Sequence, residues 1–218
     1  MQTTVAVNRP EVARQVAAYL LNIEAIQLRP DQPFKWSSGW NSPIYCDNRL
    51  ALSFPEVRTF IKNALAGAIK SHFPAVELIA GVATAGIAQG ALVADVLHLP
   101  YAYVRPEPKK HGMGNQIEGR VLAGQKVVVL EDLISTGGSS LKVVDVLREA
   151  GVEVLGMISI FTYGFSIADE NFKQKGVELV SLSNYDCLLT EALKLDYIES
   201  SQLETLSKWR EYPGNWGV

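Results

Sequence analysis

Two adjacent carboxylates, Glu131 and Asp132, follow the apolar run Val127–Leu130. After Leu133 and Ile134 come Ser135, Thr136, Gly137, Gly138, Ser139 and Ser140, and these run directly into a helical pattern. Each residue type in this order has a chemical use. Glycine lets the backbone turn tightly and approach a ligand closely. Successive backbone N–H groups at a helix N-terminus favour an anion, and hydroxyls add hydrogen bonds to it. Carboxylates beside such a cradle would repel a phosphate. They suit neighbouring sugar hydroxyls, or positive charge developing at a sugar carbon. A phosphorylated sugar fits both halves of the pattern. The bland alternative is a strand end followed by a helix capped by Ser139. Neither a Gly-Lys-Ser/Thr phosphate loop nor a GxGxxG dinucleotide fingerprint is present.

A second candidate lies between Tyr101 and Gly119, in YAYVRPEPKKHGMGNQIEG. Arg105, Lys109, Lys110 and His111 cluster there in an otherwise acidic chain. Pro106, Pro108, Gly112, Gly114 and Gly119 make the segment a poor helix or strand. A long basic loop of this kind reads as a lid that neutralises an anionic leaving group, or as a solvated surface loop. Residues 81–90, GVATAGIAQG, are small enough for a backbone contact to phosphate at Thr84, or simply for close helix packing. His72 and His98 each end a helical pattern, where a cation complements the helix dipole.

The 218 residues suffice for one domain with a sizeable core, since 48% are hydrophobic. A formal net charge of −3 argues against a general nucleic-acid binder, which needs a basic surplus. Cys46 and Cys187 lie far apart with no CxxC and no histidine cluster, so buried free thiols are expected rather than a disulfide or metal pair. No apolar run approaches the ~20 residues of a membrane span. The first residues lack the pattern of a signal peptide, so a cytoplasmic protein is expected.

The elements that must position these groups alternate along the chain. Helices are expected at Pro10–Ile23, Pro55–His72, Thr84–Leu97, Gly138–Glu149, Asp186–Leu193 and Ser200–Trp209, with a short helical stretch after Tyr163. Strands are expected at Val76–Ala80, Tyr101–Arg105, Lys126–Asp132, Val152–Tyr163 and Val177–Ser181. The stretch PDQPFKWSSGWNSPIYCDNR is turn-rich and too irregular for one helix. Continuous Val/Ile/Leu strands separated by helices mean an α/β fold with a central parallel sheet flanked by helices. Ligands bind beyond the carboxyl ends of such strands, which directs attention to the loops after Ala80, Val104, Leu130 and Ile160.

The run EDLISTGGSS resembles the phosphoribosyl-pyrophosphate motif of type I phosphoribosyltransferases, in the form found in orotate phosphoribosyltransferases. FKWSSGWNSPIYCDNR is similar to that family's FTxxSGxxSPxYxD segment, and the resemblance extends over nearly the whole chain. It implies a single domain over residues 1–218, with a small N-terminal hood from about residues 1–50 plus C-terminal elements. It implies Mg²⁺-dependent transfer of ribose 5-phosphate from 5-phosphoribosyl 1-pyrophosphate to orotate, in pyrimidine nucleotide synthesis. The sugar pyrophosphate would be held by Glu131, Asp132, Leu133, Ile134, Ser135, Thr136, Gly137, Gly138 and Ser139. Ser135 would also touch orotate. Arg105, Lys109 and His111 would reach the pyrophosphate, with the lysine and histidine supplied by the second subunit of a homodimer. Lys109, Asp132, Arg105 and His111 would carry the chemistry, with Mg²⁺ held mainly by substrate oxygens. The chain departs from the family at Ser37, Ala85 and Pro106, where members carry lysine, and near Tyr163, where some carry an orotate-binding arginine. Two alternatives use the same cradle: transfer to uracil or a purine, and a regulatory protein that only senses the sugar pyrophosphate.

Overall fold

The computed structural model describes residues 5–7, 9–36, 39–105, 107, 116–214 and 216. In chain order the first elements are β1 (Val5–Val7), α1 (Pro10–Asn22), β2 (Ile26–Leu28), β3 (Phe34–Lys35), β4 (Asn41–Ser42) and β5 (Ile44–Cys46). A 3-10 helix, Asn48–Ser53, leads into α2 (Pro55–His72), β6 (Leu78–Val82), α3 (Gly86–Leu97), β7 (Tyr101–Val104) and β8 (Ile117–Glu118). The second half contains β9 (Lys126–Ile134), α4 (Gly138–Glu149), β10 (Glu153–Thr162), α5 (Ser166–Lys175), β11 (Leu179–Asn184) and α6 (Tyr185–Lys194). A 3-10 turn, Ser200–Gln202, then leads into α7 (Leu203–Glu211).

The central sheet has seven strands in the order β1-β11-β10-β9-β6-β7-β8. All its pairings are parallel except β7 with β8. This is the expected α/β fold with one antiparallel edge added, and that edge strand is two residues long. Period-2 alternation divides the strand side chains between two cores. Val128, Leu130, Ile158, Ile160, Val180 and Leu182 pack with α1, α2, α3, α6 and α7. Val127, Val129, Met157 and Leu179 face α4 and α5. Both faces are covered, which is why these strands read as unbroken apolar runs.

Most expected elements form close to their predicted bounds. β9 is a correction: it continues past Asp132 to Ile134, because β10 keeps pairing with it through Leu133↔Phe161 and Ile134↔Thr162. α3 begins at Gly86 rather than Thr84. The turn-rich stretch holds two small antiparallel ladders, β2 with β5 and β3 with β4, whose strands are too short to show a period. β1 and β8 were not expected either, for the same reason. Cys46 and Cys187 are free thiols, as expected, but half-buried rather than fully enclosed. His72 ends α2 with Nδ1 3.6 Å from Glu178 Oε1. His98 closes α3 in the left-handed conformation, φ 54°. Among the described residues no helix is long and apolar enough to cross a membrane.

Candidate functional site

The site gathers at the carboxyl end of β9, where two helix N-termini converge. Gly86 opens α3, and a Cβ there would stand 2.5 Å from the Leu130 carbonyl oxygen. Only glycine therefore lets α3 start against the strand. Gly137 caps α4 at φ 77°, and its Cβ would meet Phe172 Cε2 at 2.6 Å. No side chain caps α4. Its first N–H groups are left without helical acceptors, the arrangement that suits an anion. Ser139 lies in the first turn, exposed beside Gly138, and does not cap the helix. Asn171 Nδ2 donates to the Thr136 carbonyl at 2.9 Å and ties the turn to α5.

Glu131 and Asp132 are brought together but differ in role. Glu131 is only 7% exposed. Its Oε2 accepts from Ser140 Oγ at 2.9 Å and its Oε1 from the Asp132 N–H at 3.0 Å. Burial, then the neighbouring Asp132 charge, push its carboxyl well above the usual range. Asp132 is more open, and burial raises its carboxyl too, against hydrogen bonds and the Arg49 charge that favour ionisation. The Asp132 carbonyl accepts from Asn48 Nδ2 at 2.8 Å, which ties this strand to the segment after β5. Ser140 and Asn48 are supports that sequence reasoning did not assign. Ser140 was legible only as a hydroxyl in the helix's first turn, and Asn48 carried no local signal.

Leu133, Ser135 and Thr136 form one wall of a cavity of about 620 Å³. Its other walls are Lys35, Trp36, Trp40, Tyr45, Cys46 and Tyr163. Trp36 is anchored by donating from Nε1 to the Ile44 carbonyl at 3.0 Å. Its ring packs 5.4 Å from Tyr163 and 5.6 Å from Trp209, centroid to centroid. Burial raises the Cys46 thiol and the Tyr163 hydroxyl well above their ordinary values, so both stay neutral at physiological pH. A second cavity, of about 560 Å³, lies on the other side of Tyr163 against Asp169, Asn184, Asp186 and Arg210. It shares no residue with the cradle.

Arg105 follows β7 at the root of the basic loop. Its N–H donates to the Gln116 carbonyl at 2.9 Å, and Gln116 Nε2 donates back to the Arg105 carbonyl at 3.1 Å. These bonds clamp the two ends of the loop together. Arg105 Nε stands 3.8 Å from Glu118 Oε1. Lys109, Lys110 and His111, with Pro106 and Ser37, lie outside the described residues. Among the described residues no group of three or more His, Cys, Asp or Glu is arranged so that it could hold a metal ion.

An anion cradle at the carboxyl edge of a mostly parallel sheet, with a carboxylate pair beneath it, defines a phosphoribosyltransferase-type site. Residues 53–185 match the phosphoribosyl transferase domain family. The orotate phosphoribosyltransferase of Cytophaga hutchinsonii is 62% identical over 203 residues, which span 93% of this chain and 97% of that one. That of Porphyromonas gingivalis is 51% identical over 207 residues, spanning 95% and 99%. The crystal structure of orotate phosphoribosyltransferase from Aeropyrum pernix superimposes with a TM-score of 0.72 at 34% identity, over 84% of this chain and 99% of that one. The chain belongs to the phosphoribosyl transferase family and, within it, to the orotate phosphoribosyltransferases.

Proposed function

We propose that this enzyme transfers the 5-phosphoribosyl group from 5-phosphoribosyl 1-pyrophosphate to orotate, giving orotidine 5′-monophosphate and pyrophosphate. The observation that carries the reading is that the anion cradle and the aromatic cavity share Ser135 and Thr136. A sugar phosphate in the first is thereby set beside a flat heterocycle in the second. The N1–C1 bond forms as the C1–O bond breaks, the electron pair leaves with the pyrophosphate, and the proton of orotate N1 is released to solvent.

The 5′-phosphate sits on Ser135, Thr136, Gly137, Gly138 and Ser139, with Leu133 and Ile134 shaping the approach. Asp132 accepts a ribose hydroxyl and faces the charge that develops at C1, and Glu131 holds Asp132 in place. Arg105, Lys109 and His111 stabilise the departing pyrophosphate, and closure of their loop excludes water. Adjacent carboxylate oxygens at the crevice suit a hard dication. Mg²⁺ held mainly by the phosphate and ribose oxygens of the sugar pyrophosphate would screen the phosphate charge, with Asp132, backed by Glu131, the protein carboxylate placed to help hold it.

The working unit is a homodimer in which Lys109 and His111 serve the neighbouring site. The chain acts as a single domain over residues 1–218, with the hood drawn from about residues 1–50 and the C-terminal elements, in the cytoplasm. Product analysis tests the reading. Wild type should release orotidine 5′-monophosphate and pyrophosphate in equal amounts. Asp132→Asn should lose about 100-fold or more in kcat, as removal of one group that stabilises transition-state charge commonly costs. Wild-type rates in Asp132→Asn would remove the carboxylate from the chemistry.

A further inference from the structure

We infer that Lys35 is the cation that recognises the carboxylate of orotate, and so sets the preference for orotate over uracil. This rests on the proposed reaction, because it names the group that selects the substrate of that same cavity. Orotate is uracil carrying a carboxylate at C6, beside the N1 atom that attacks the sugar. A cavity that prefers it must supply a cation at that edge of the ring, where uracil offers only hydrogen.

Among the described residues that line the cavity, Lys35 is the charged one. Among the described residues, three other cations near the crevice are engaged elsewhere. Arg49 binds Asp47, with Nε 2.6 Å from Oδ1. Arg210 binds Asp186 at 2.5 Å and lines the second cavity instead. Arg105 stands by Glu118 at the root of the basic loop. Lys35 makes no ion pair among the described residues, so its ammonium is available to a ligand anion.

The backbone fixes where that charge is carried. Lys35 pairs with Asn41 in the β3–β4 ladder, and the Trp36 N–H donates to the Trp40 carbonyl at 2.9 Å. The next residue, Trp36, is held by Ile44, Tyr163 and Trp209. The lysine therefore extends from a ladder whose adjoining residue forms the aromatic wall. A flat ring stacked on that wall would turn one edge toward the rim of the cavity that Lys35 lines. The Asp132 carboxylate stands on the sheet side of the site, where it disfavours a second anion. The cation on the hood side thus also selects the ring's orientation, with the ligand carboxylate turned toward β3.

The test is steady-state kinetics of wild type, Lys35→Met and Lys35→Arg with orotate and with uracil. In Lys35→Met the KM for orotate should rise on the order of 10-fold or more, the scale of a lost hydrogen bond to a charged group. The KM for the sugar pyrophosphate should stay within about 2-fold, and the ratio of kcat/KM for orotate over uracil should fall by the same factor as the orotate loss. Lys35→Arg should keep most of the preference. Lys35 is exposed, so melting temperatures should agree among the three proteins. An unchanged orotate KM and an unchanged ratio in Lys35→Met would overturn the inference and leave the proposed reaction standing. A wild type that does not turn over orotate at all would overturn both.

Discussion

The anion cradle and the base cavity meet at Ser135 and Thr136, yet they are built in opposite ways. The cradle is one continuous run of chain, Glu131 to Ser140, fixed by a strand, a left-handed glycine and a helix start. The cavity is assembled from distant pieces. β3 and β5 bring Lys35, Tyr45 and Cys46, the residues flanking the β3–β4 turn bring Trp36 and Trp40, β9 brings Leu133, and Tyr163 directly follows β10. Trp209 of α7 holds them from behind through ring contacts to Trp36, Tyr163 and Phe165. Local backbone geometry makes the first part, and side-chain packing makes the second. Perturbations should therefore separate them.

The largest separation is expected at Trp209, which is fully buried. Trp209→Ala should cost about 3–5 kcal/mol of stability, as truncation of a large core aromatic does. In the protein that still folds, orotate binding should weaken far more than sugar-pyrophosphate binding, measured by calorimetry. Equal weakening of both ligands would show that the two parts are one rigid unit.

The next effect lies in the cradle. Gly137→Ala forces a side chain into left-handed backbone and against Phe172, and should cost about 1–3 kcal/mol in denaturant unfolding. Gly138 faces open space, with Thr136 Oγ1 at 3.8 Å from a built Cβ, so Gly138→Ala should leave stability nearly unchanged. Similar losses at the two positions would contradict a cradle set by the conformation of Gly137 alone.

A smaller effect concerns Glu131. Its carboxyl is raised by burial and by Asp132, so the folded protein holds a proton there that the unfolded chain gives up near the ordinary value of ~4.3. The stability this group contributes is fully present below that value and is lost as pH rises toward its raised folded pKa. Glu131→Gln should thus gain on wild type in melting temperature as pH rises from about 5 to 8, while losing activity. A difference that stays constant over that range would mean Glu131 does not titrate abnormally.

The smallest effect is expected in the second cavity. Arg210→Ala removes a partly exposed ion pair and should change stability by no more than ~1 kcal/mol. The orotate KM should stay within about 2-fold. A large rise would move the base site across Tyr163.

The same contrast explains what the sequence made legible. Glu131 to Ser139, the glycine turn and the strand–helix order could be read from consecutive residues, because adjacent residues set that geometry. The extension of β9 to Ile134 escaped, since it depends on continued pairing with β10 rather than on apolar pattern. Trp36, Trp40 and Tyr163 gave no sign that their rings would meet, because nothing in local spacing links residue 36 with residues 163 and 209. Ser140 beneath Glu131 and Asn48 behind Asp132 are partners across turns and elements, visible only once the chain has folded. Lys35 lies in the turn-rich stretch with no local signal, and only the folded cavity gives its charge a place.

The most direct test of the central claim is a competition among bases. Purified enzyme would be given 5-phosphoribosyl 1-pyrophosphate, Mg²⁺ and equal concentrations of orotate, uracil, adenine, hypoxanthine and guanine, with the nucleotide products resolved by chromatography. Orotidine 5′-monophosphate should dominate the early products, and its formation should stop when either the sugar pyrophosphate or Mg²⁺ is omitted. Predominance of uridine or purine monophosphates would contradict a cavity matched to an anionic pyrimidine.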